Sequence, residues 1–487
     1  MSTNRTPLRL GLILALLALA QLIYSLDINI VFVALPDISK DLGFTAQTQQ
    51  WVIGAYTVFS GGFLLFGGRA ADLLGRRRIF VTALAVYALS SLAGGLATST
   101  TVIVIARAVQ GIGGAMLLPA TLALIGTLFE EGPRRNRALA VWGGAGASGL
   151  TIGALLGGVL TQNFGWPAVF YVNVPLAAIA IIGALVFIPR DSAVTERRRF
   201  DLPGAVTVTG GATLLVFGLV QGPVSGWTSA SNIGAFVAAV LLLVAFAVIE
   251  TRSADPLMPP ALLRHRSLIV AITITFLYMA SFGTLPYFES NLLQNVNGMD
   301  ALQSGLAFLV PSVAIATGTQ LGERLTTRLG ARPSLIGGLI VGAVGTAVLT
   351  AGFHYHSGYA ALLPGLIISG LGQGVTWTAM WIAAATGVNS EEQGVANGMA
   401  STTLSLGNAI GLAVLTAIAG AGTSNLTGVH LAKAQASGFA EAVWITAAIM
   451  IVGAVLALTL RKRPTAAAEP ELLAEDLAHP AQAAQQH

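Results

Sequence analysis

Three ionisable residues, Asp27, Arg107 and Glu289, stand within or at the end of long apolar runs of this 487-residue chain. An Arg or Asp at the centre of a membrane-spanning helix costs roughly 2.5–3.5 kcal/mol on insertion scales, so such residues persist for chemistry or for one another. Asp27 and Arg107 can form a structural ion pair. Alternatively the acid carries a proton, released at a point set by the balance of burial and neighbouring charge. Glu289, at the end of its run, can do the same or sit at the outer surface. Arg107 shares one helical face with Gln110, Gly111 and Gly114, at i, i+3, i+4 and i+7. Glycine there lets another backbone approach, and the carboxamide can fix a guanidinium or a ligand.

Polar and aromatic stripes accompany these charges. Tyr24 lies on the face of Asp27, three residues earlier. Further stripes are Tyr278, Phe282, Leu285 and Glu289; Ser369, Gln373, Thr376 and Met380, with Trp377 and Trp381 beside them; and Asn397, Ser401, Ser405 and Asn408. Such stripes can join helices or line a water-accessible cavity. Their number and aromatic content point to a cavity suited to bulky lipophilic compounds. Gly149, Gly153 and Gly157, at four-residue spacing, form a close-packing face.

Competing chemistries have weaker support. His354 and His356 are two apart, but they fall in a loop where solvation accounts for them, so no metal site is expected. No phosphate-binding loop occurs, and no cofactor is implied. The chain has no cysteine, which excludes disulfides and thiolate sites. Nucleic acid is excluded as a partner, because the net charge is only +4 and the basic residues are scattered.

The elements that must position these groups are membrane-spanning helices. Charged residues make up 9% of the chain and hydrophobic ones 54%, with mean hydropathy +0.76. A hydrocarbon core about 30 Å thick needs about 20 apolar residues per helix. Runs of that kind occur at Leu8–Leu35, Trp51–Phe66, Ile79–Ala97, Val102–Leu128, Ala138–Leu160 and Ala168–Ile188. Two follow at Gly204–Val220 and Ile233–Ile249. Six more lie at Leu268–Phe288, Leu302–Leu321, Leu335–Ala351, Ala360–Thr386, Val395–Ala419 and Phe439–Leu460. The first run is too long for the core of a signal peptide. With fourteen spans, every Lys and Arg except Lys40, Lys433 and the intrahelical Arg107 falls on the side of the termini. That bias predicts cytoplasmic termini. The tail at 462–487, rich in Ala, Glu, Gln and Pro, is expected to be disordered.

These residues resemble the fourteen-spanner drug:proton antiporter branch of the major facilitator superfamily. The run Gly68-Arg69-Ala70-Ala71-Asp72-Leu73-Leu74-Gly75-Arg76-Arg77 is similar to the superfamily's signature loop, G-x-x-x-D-x-x-G-R-[RK]. Leu26-Asp27-Ile28-Asn29-Ile30-Val31 with Ala34-Leu35-Pro36 resembles the helix 1 motif, and Arg107-Ala108-Val109-Gln110-Gly111 the helix 4 motif R-x-x-Q-G. Gly149 to Gly158 resembles the antiporter motif of helix 5, with Ala154 where Pro is usual. Trp166, Phe170, Asn173 and Pro175 also follow the branch pattern, with Pro167 replacing an Arg. Glu289 stands where the family is commonly apolar.

The resemblance implies an all-α membrane protein with fourteen transmembrane helices. An N-terminal six-helix bundle (8–189), an inserted two-helix region (190–266) and a C-terminal six-helix bundle (267–461) would enclose a central cavity opened alternately to each side. Gly68, Asp72, Gly75, Arg76 and Arg77 would form a conformational latch, with Asp72 facing a helix N-terminus and the arginines facing acids or helix C-termini. The expected function is proton-coupled efflux of lipophilic drugs, antibiotics or antiseptic cations by a monomer in the inner membrane. Asp27, Arg107 and Glu289 would couple the proton. Tyr24, Gln110, Tyr278, Phe282, Gln373, Trp377, Met380, Asn397 and Ser401 would line the substrate cavity. The rival readings are a proton symporter for a nutrient or metabolite and, more remotely, an intramembrane enzyme.

Overall fold

Each apolar run becomes a helix because hydrocarbon offers the backbone no other hydrogen-bond partners. The computed structural model describes residues 7–45, 48–129, 133–191, 201–253, 256, 266–385, 393–421, 423 and 426–460. In the first half lie α1 (Pro7–Leu42), α2 (Trp51–Leu74), α3 (Arg76–Gly95), α4 (Thr100–Leu128), α5 (Pro133–Phe164) and α6 (Ala168–Phe187). Next come α7 (Leu202–Ser225) and α8 (Ala230–Arg252). The second half holds α9 (Arg266–Val296), α10 (Ala301–Leu329), α11 (Ala331–Gly352), α12 (Tyr359–Ala385), α13 (Gln393–Ala419) and α14 (Gly428–Ala457). Among the described residues thirteen helices are long and apolar enough to cross a bilayer, and α2 adds the shorter apolar stretch Trp51–Leu64. The tail at 462–487 lies outside the described residues.

Several helices run past their apolar stretches, among them α1 to Leu42 and α10 to Leu329, and two such boundaries bear on the site. Helix α2 runs on through Gly68–Leu74, so most of the expected signature loop is helical. The chain meets no breaker there until Gly75, whose φ of +103° stops the helix. Helix α14 starts at Gly428, well before its apolar run. Helix α9 is interrupted rather than uniform. Pro286 cannot donate to the turn before it, and a 3-10 turn at Phe282–Thr284 precedes it, while a π-helical turn follows at Leu292–Val296.

The two halves repeat one packing scheme. In the first, α1 packs on α5, and α4 on both α2 and α3; in the second, α9 packs on α13, and α12 on both α10 and α11. Close approach is made with glycine. A Cβ on Gly149 or Gly157 would lie 2.8 or 2.9 Å from the carbonyl oxygens of Leu22 or Ile30 on α1, and one on Gly153 would collide with that of Leu26. Gly407 and Gly411 of α13 meet α9 in the same way at Phe276 and Ala280. Gly330, with φ +90°, turns α10 into α11 as Gly75 turns α2 into α3. Helix α5 is continuous through Ala154, which with Gly158 faces α10 at Gly305 and Ala301.

The inserted pair is not a detached linker. Helix α7 lies across α2 and α13, sharing a small core of Val58, Ala212, Val216, Ala409 and Ala413. Helix α8 packs on α7 and exposes Val237, Val240, Leu241 and Val244, the outward apolar surface expected of a lipid-facing helix.

Candidate functional site

Helix α1 carries Asp27 into the centre of the first half, where it is fully buried, and α4 brings Arg107, 2% exposed, to meet it. An Arg107 Nη donates to the Asp27 carboxylate at 2.5 Å and to the Gln110 carboxamide oxygen at 2.8 Å. Gln110 Nε2 returns a bond to the other Asp27 oxygen at 2.9 Å, and Asn173 Nδ2 of α6 donates to that same oxygen at 3.1 Å. Ser91 of α3 accepts from Gln110 and Asn173 and donates to the Phe170 carbonyl. The guanidinium stacks 4.4 Å from the Tyr56 ring centroid, and its Nε donates to the Val52 carbonyl of α2 at 2.8 Å. Glycine at 111 and 114 admits Tyr56 and Tyr24, because a Cβ at Gly111 would collide with the Tyr56 carbonyl and one at Gly114 would lie about 3 Å from the Tyr56 hydroxyl and the Tyr24 ring. A buried charge pair holds only when its spare lone pairs and protons are met. Here α2, α4 and α6 supply them, and Ser91 of α3 steadies two of the donors.

A second polar cluster joins the halves at the face where α1 ends and α2 begins. Gln49 Nε2 donates to the Tyr287 hydroxyl at 2.7 Å and to Asn291 Oδ1 at 3.0 Å, while Ser39 donates to its Oε1 at 2.7 Å. Thr416 of α13 donates to Gln50 at 2.5 Å. Ser290 and Gln294 of α9 donate to the carbonyls of Phe32 and Val33 of α1, each at 2.8 Å. A cavity of about 260 Å³ adjoins this closure, lined in part by Lys40, Gln49, Asn291, Asn295, Thr416 and Gln435.

Most of the remaining expected site residues lie in the second half. Tyr278 reaches the Gln373 carbonyl at 3.4 Å and packs 5.7 Å from Trp377, which in turn meets Trp381. Trp377 is 37% exposed and Ser401 is half-buried, whereas Phe282 and Met380 are fully buried; Phe282 fills the space beside Gly342 of α11. Tyr24 lies beside the Asp27 network, with its ring 6.4 Å from that of Tyr56. Glu289 is 6% exposed and has no hydrogen-bond or ion-pair partner among the described residues. Helical geometry turns it to the side of α9 opposite Tyr287 and Asn291, in the other half from Asp27. The side chains of Asn397 and Asp72 lie outside what is described.

Comparison with known proteins bears on a chain of this shape. The family model for the Major Facilitator Superfamily matches residues 17–411 and, in a second match, 270–485. This chain belongs to the major facilitator superfamily. It is 35% identical to the puromycin resistance protein pur8 of Streptomyces alboniger, over 94% of this chain and 92% of that one. It is 36% identical to the cephamycin export protein CmcT of Amycolatopsis lactamdurans, over 93% of each. With the multidrug resistance protein Stp of Mycobacterium tuberculosis it shares 34% identity over 88% of this chain and 79% of the relative. Among solved structures, the inward-open xylose transporter XylE of E. coli superposes with a TM-score of 0.64 at 13% identity. That match covers 95% of this chain and 99% of the other, a likeness of fold alone.

The signature run of this superfamily member is tied down by a residue outside the motif. Asp191, just past α6, accepts from the backbone N–H groups of Arg77 and Arg78 at 3.0 Å each, at the N-terminus of α3. Its carboxylate occupies the space a Cβ at Gly75 would need. Arg77 donates in return to the Leu185 carbonyl near the C-terminus of α6 at 2.6 Å. Acid at one helix start and cation at another helix end both match the backbone dipoles. Besides Asp191, sequence reasoning missed Ser91, Tyr56 and the Gln49 cluster, and it cited Asn173 only as part of a motif. The signal available for Asn173 was a polar residue just inside the apolar α6.

Proposed function

We propose that this chain exports lipophilic drug-like or antibiotic compounds in exchange for protons, by alternating access between its halves. The observation that carries the reading is the buried Asp27–Arg107 pair, a titratable acid held by a fixed cation in a superfamily fold. The similarity to proteins named for puromycin resistance, cephamycin export and multidrug resistance supports this substrate class. Asp27 is read as the proton carrier, with Arg107 and Gln110 setting its exchange and Glu289 as a further acid in the second half. The exposed part of the Tyr278–Trp377 cluster, with Gln373 and Ser401, is read as cavity wall. With cytoplasmic termini, as the basic residues suggest, the Gln49 closure lies on the outside and the conformation faces inward.

A drug-susceptibility panel in an efflux-deficient host, with and without an uncoupler, tests this. Expression should raise resistance to several lipophilic antibiotics, and the uncoupler should abolish the gain. Resistance that survives collapse of the proton gradient would rule out the antiport reading.

A further inference from the structure

The closure and the ion pair meet in one turn of backbone, Gln49 to Val52, which leads into α2. Val52 N–H donates to the Gln49 carbonyl at 3.1 Å, so the turn moves as a unit. At one end Arg107 Nε holds the Val52 carbonyl at 2.8 Å, while an Nη of the same guanidinium holds Asp27. At the other end Gln49 bonds Tyr287 and Asn291, and Gln50 bonds Thr416. Four bonds in series therefore run from the carboxylate to the second half of the molecule. Resting on the antiport reading above, we propose that Gln49 is a positioning residue for transport: the Gln49–Val52 turn is the lever through which the Asp27–Arg107 pair opens and closes the outer side.

The physical reason lies in the guanidinium. The titratable and charged groups around Asp27 are Arg107 and the phenols of Tyr24, Tyr56 and Tyr87. Protonation of Asp27 removes the only carboxylate among them, and a buried cation left without its counter-charge must re-aim its donors. The acceptors it already holds are Gln110 Oε1 and the Val52 carbonyl. A shift toward or away from Val52 displaces the turn, and Gln49 with it. The other bolts of the closure, Ser290 and Gln294, fasten on α1 and bypass this turn.

The absence of native cysteine makes a direct test possible. Spin labels at Lys40→Cys and Gln435→Cys, which flank the outer cavity, report the gate distance in purified protein without substrate. Gln49→Ala should raise the open fraction about tenfold, as for the loss of two neutral hydrogen bonds, and should displace the pH midpoint of opening. Combined with Arg107→Lys, its effect on the open fraction should be strongly non-additive, whereas Gln294→Ala with Arg107→Lys should be additive. Should Arg107→Lys not fold, Asp27→Asn takes its place in both cycles. Additivity of Gln49→Ala in its cycle, or an unmoved pH midpoint, overturns the lever. Drug efflux by the protein with its Asp27–Arg107 pair intact, measured beside the gate response to Gln49→Ala, separates the two readings. Export with a gate indifferent to Gln49 refutes the lever alone, and a responsive gate without export refutes the export reading alone.

Discussion

Asp27 sits at a point where charge, shape and hydrogen bonding can be altered separately. Asp27→Asn removes titration but strands Arg107 in a site 2% exposed. Breaking a buried pair in this way costs about 3–5 kcal/mol. Adding Arg107→Gln removes the stranded charge, so the double variant should recover thermal stability relative to Asp27→Asn. Neither should release protons when substrate binds, and neither should pump uphill in vesicles with an imposed pH gradient. Proton release by the stable double variant would exonerate Asp27 and turn attention to Glu289, tested as Glu289→Gln. At this scale the sequence was partly legible. Asp27, Arg107 and Gln110 declared themselves because charge in an apolar run is costly and because i, i+3 spacing is visible. The Val52 carbonyl left no trace, since any residue supplies a carbonyl. Gln49, Tyr287 and Asn291 were not singled out, because nothing local says that two such helix ends will face each other.

The elements show which parts of a helix are structure and which are joint. The stripe Gly149, Gly153 and Gly157 was readable as a packing face, and its partner is α1, the helix that carries Asp27. Its counterpart on α13 was not singled out, because it consists of only Gly407 and Gly411. The α2–α3 joint depends on Gly75, which needs both its positive φ and the missing side chain beside Asp191. Asp191→Ala should therefore remove the cap of α3, at about 1 kcal/mol, while leaving substrate affinity near that of the parent. Transport should slow, because a joint between conformations is altered rather than the cavity. Binding and transport-rate assays on the purified variant decide the matter, and a large loss of affinity would place Asp191 elsewhere in the mechanism. Asp191 escaped sequence reasoning because its partners are backbone N–H groups more than a hundred residues earlier.

For the whole molecule, the count of fourteen spans came from apolar length and was checked by the alternation of Arg and Lys; both follow from the bilayer as solvent. What length cannot tell is where the extra pair goes, and α7 turned out to bridge α2 and α13. Reporter fusions test the orientation built on this count. Fusions after Arg190 and Arg266 should report cytoplasm and one near Ser225 the outside. A cytoplasmic signal at Ser225 would take α7 and α8 out of the membrane and reduce the count to twelve.

Among the described residues, the bonds named above that join the halves where α1 ends and α2 begins come from carboxamides, hydroxyls and main-chain carbonyls, with no ionised partner in those bonds. Mobile ions weaken attractions between exposed charges over a Debye length of about 10 Å at 0.1 M, and they have little hold on neutral hydrogen bonds. A seal made this way keeps its strength whether the surrounding fluid is dilute or briny. On the orientation proposed above, opening is then withheld from the ionic strength of the exterior and left to events inside the protein.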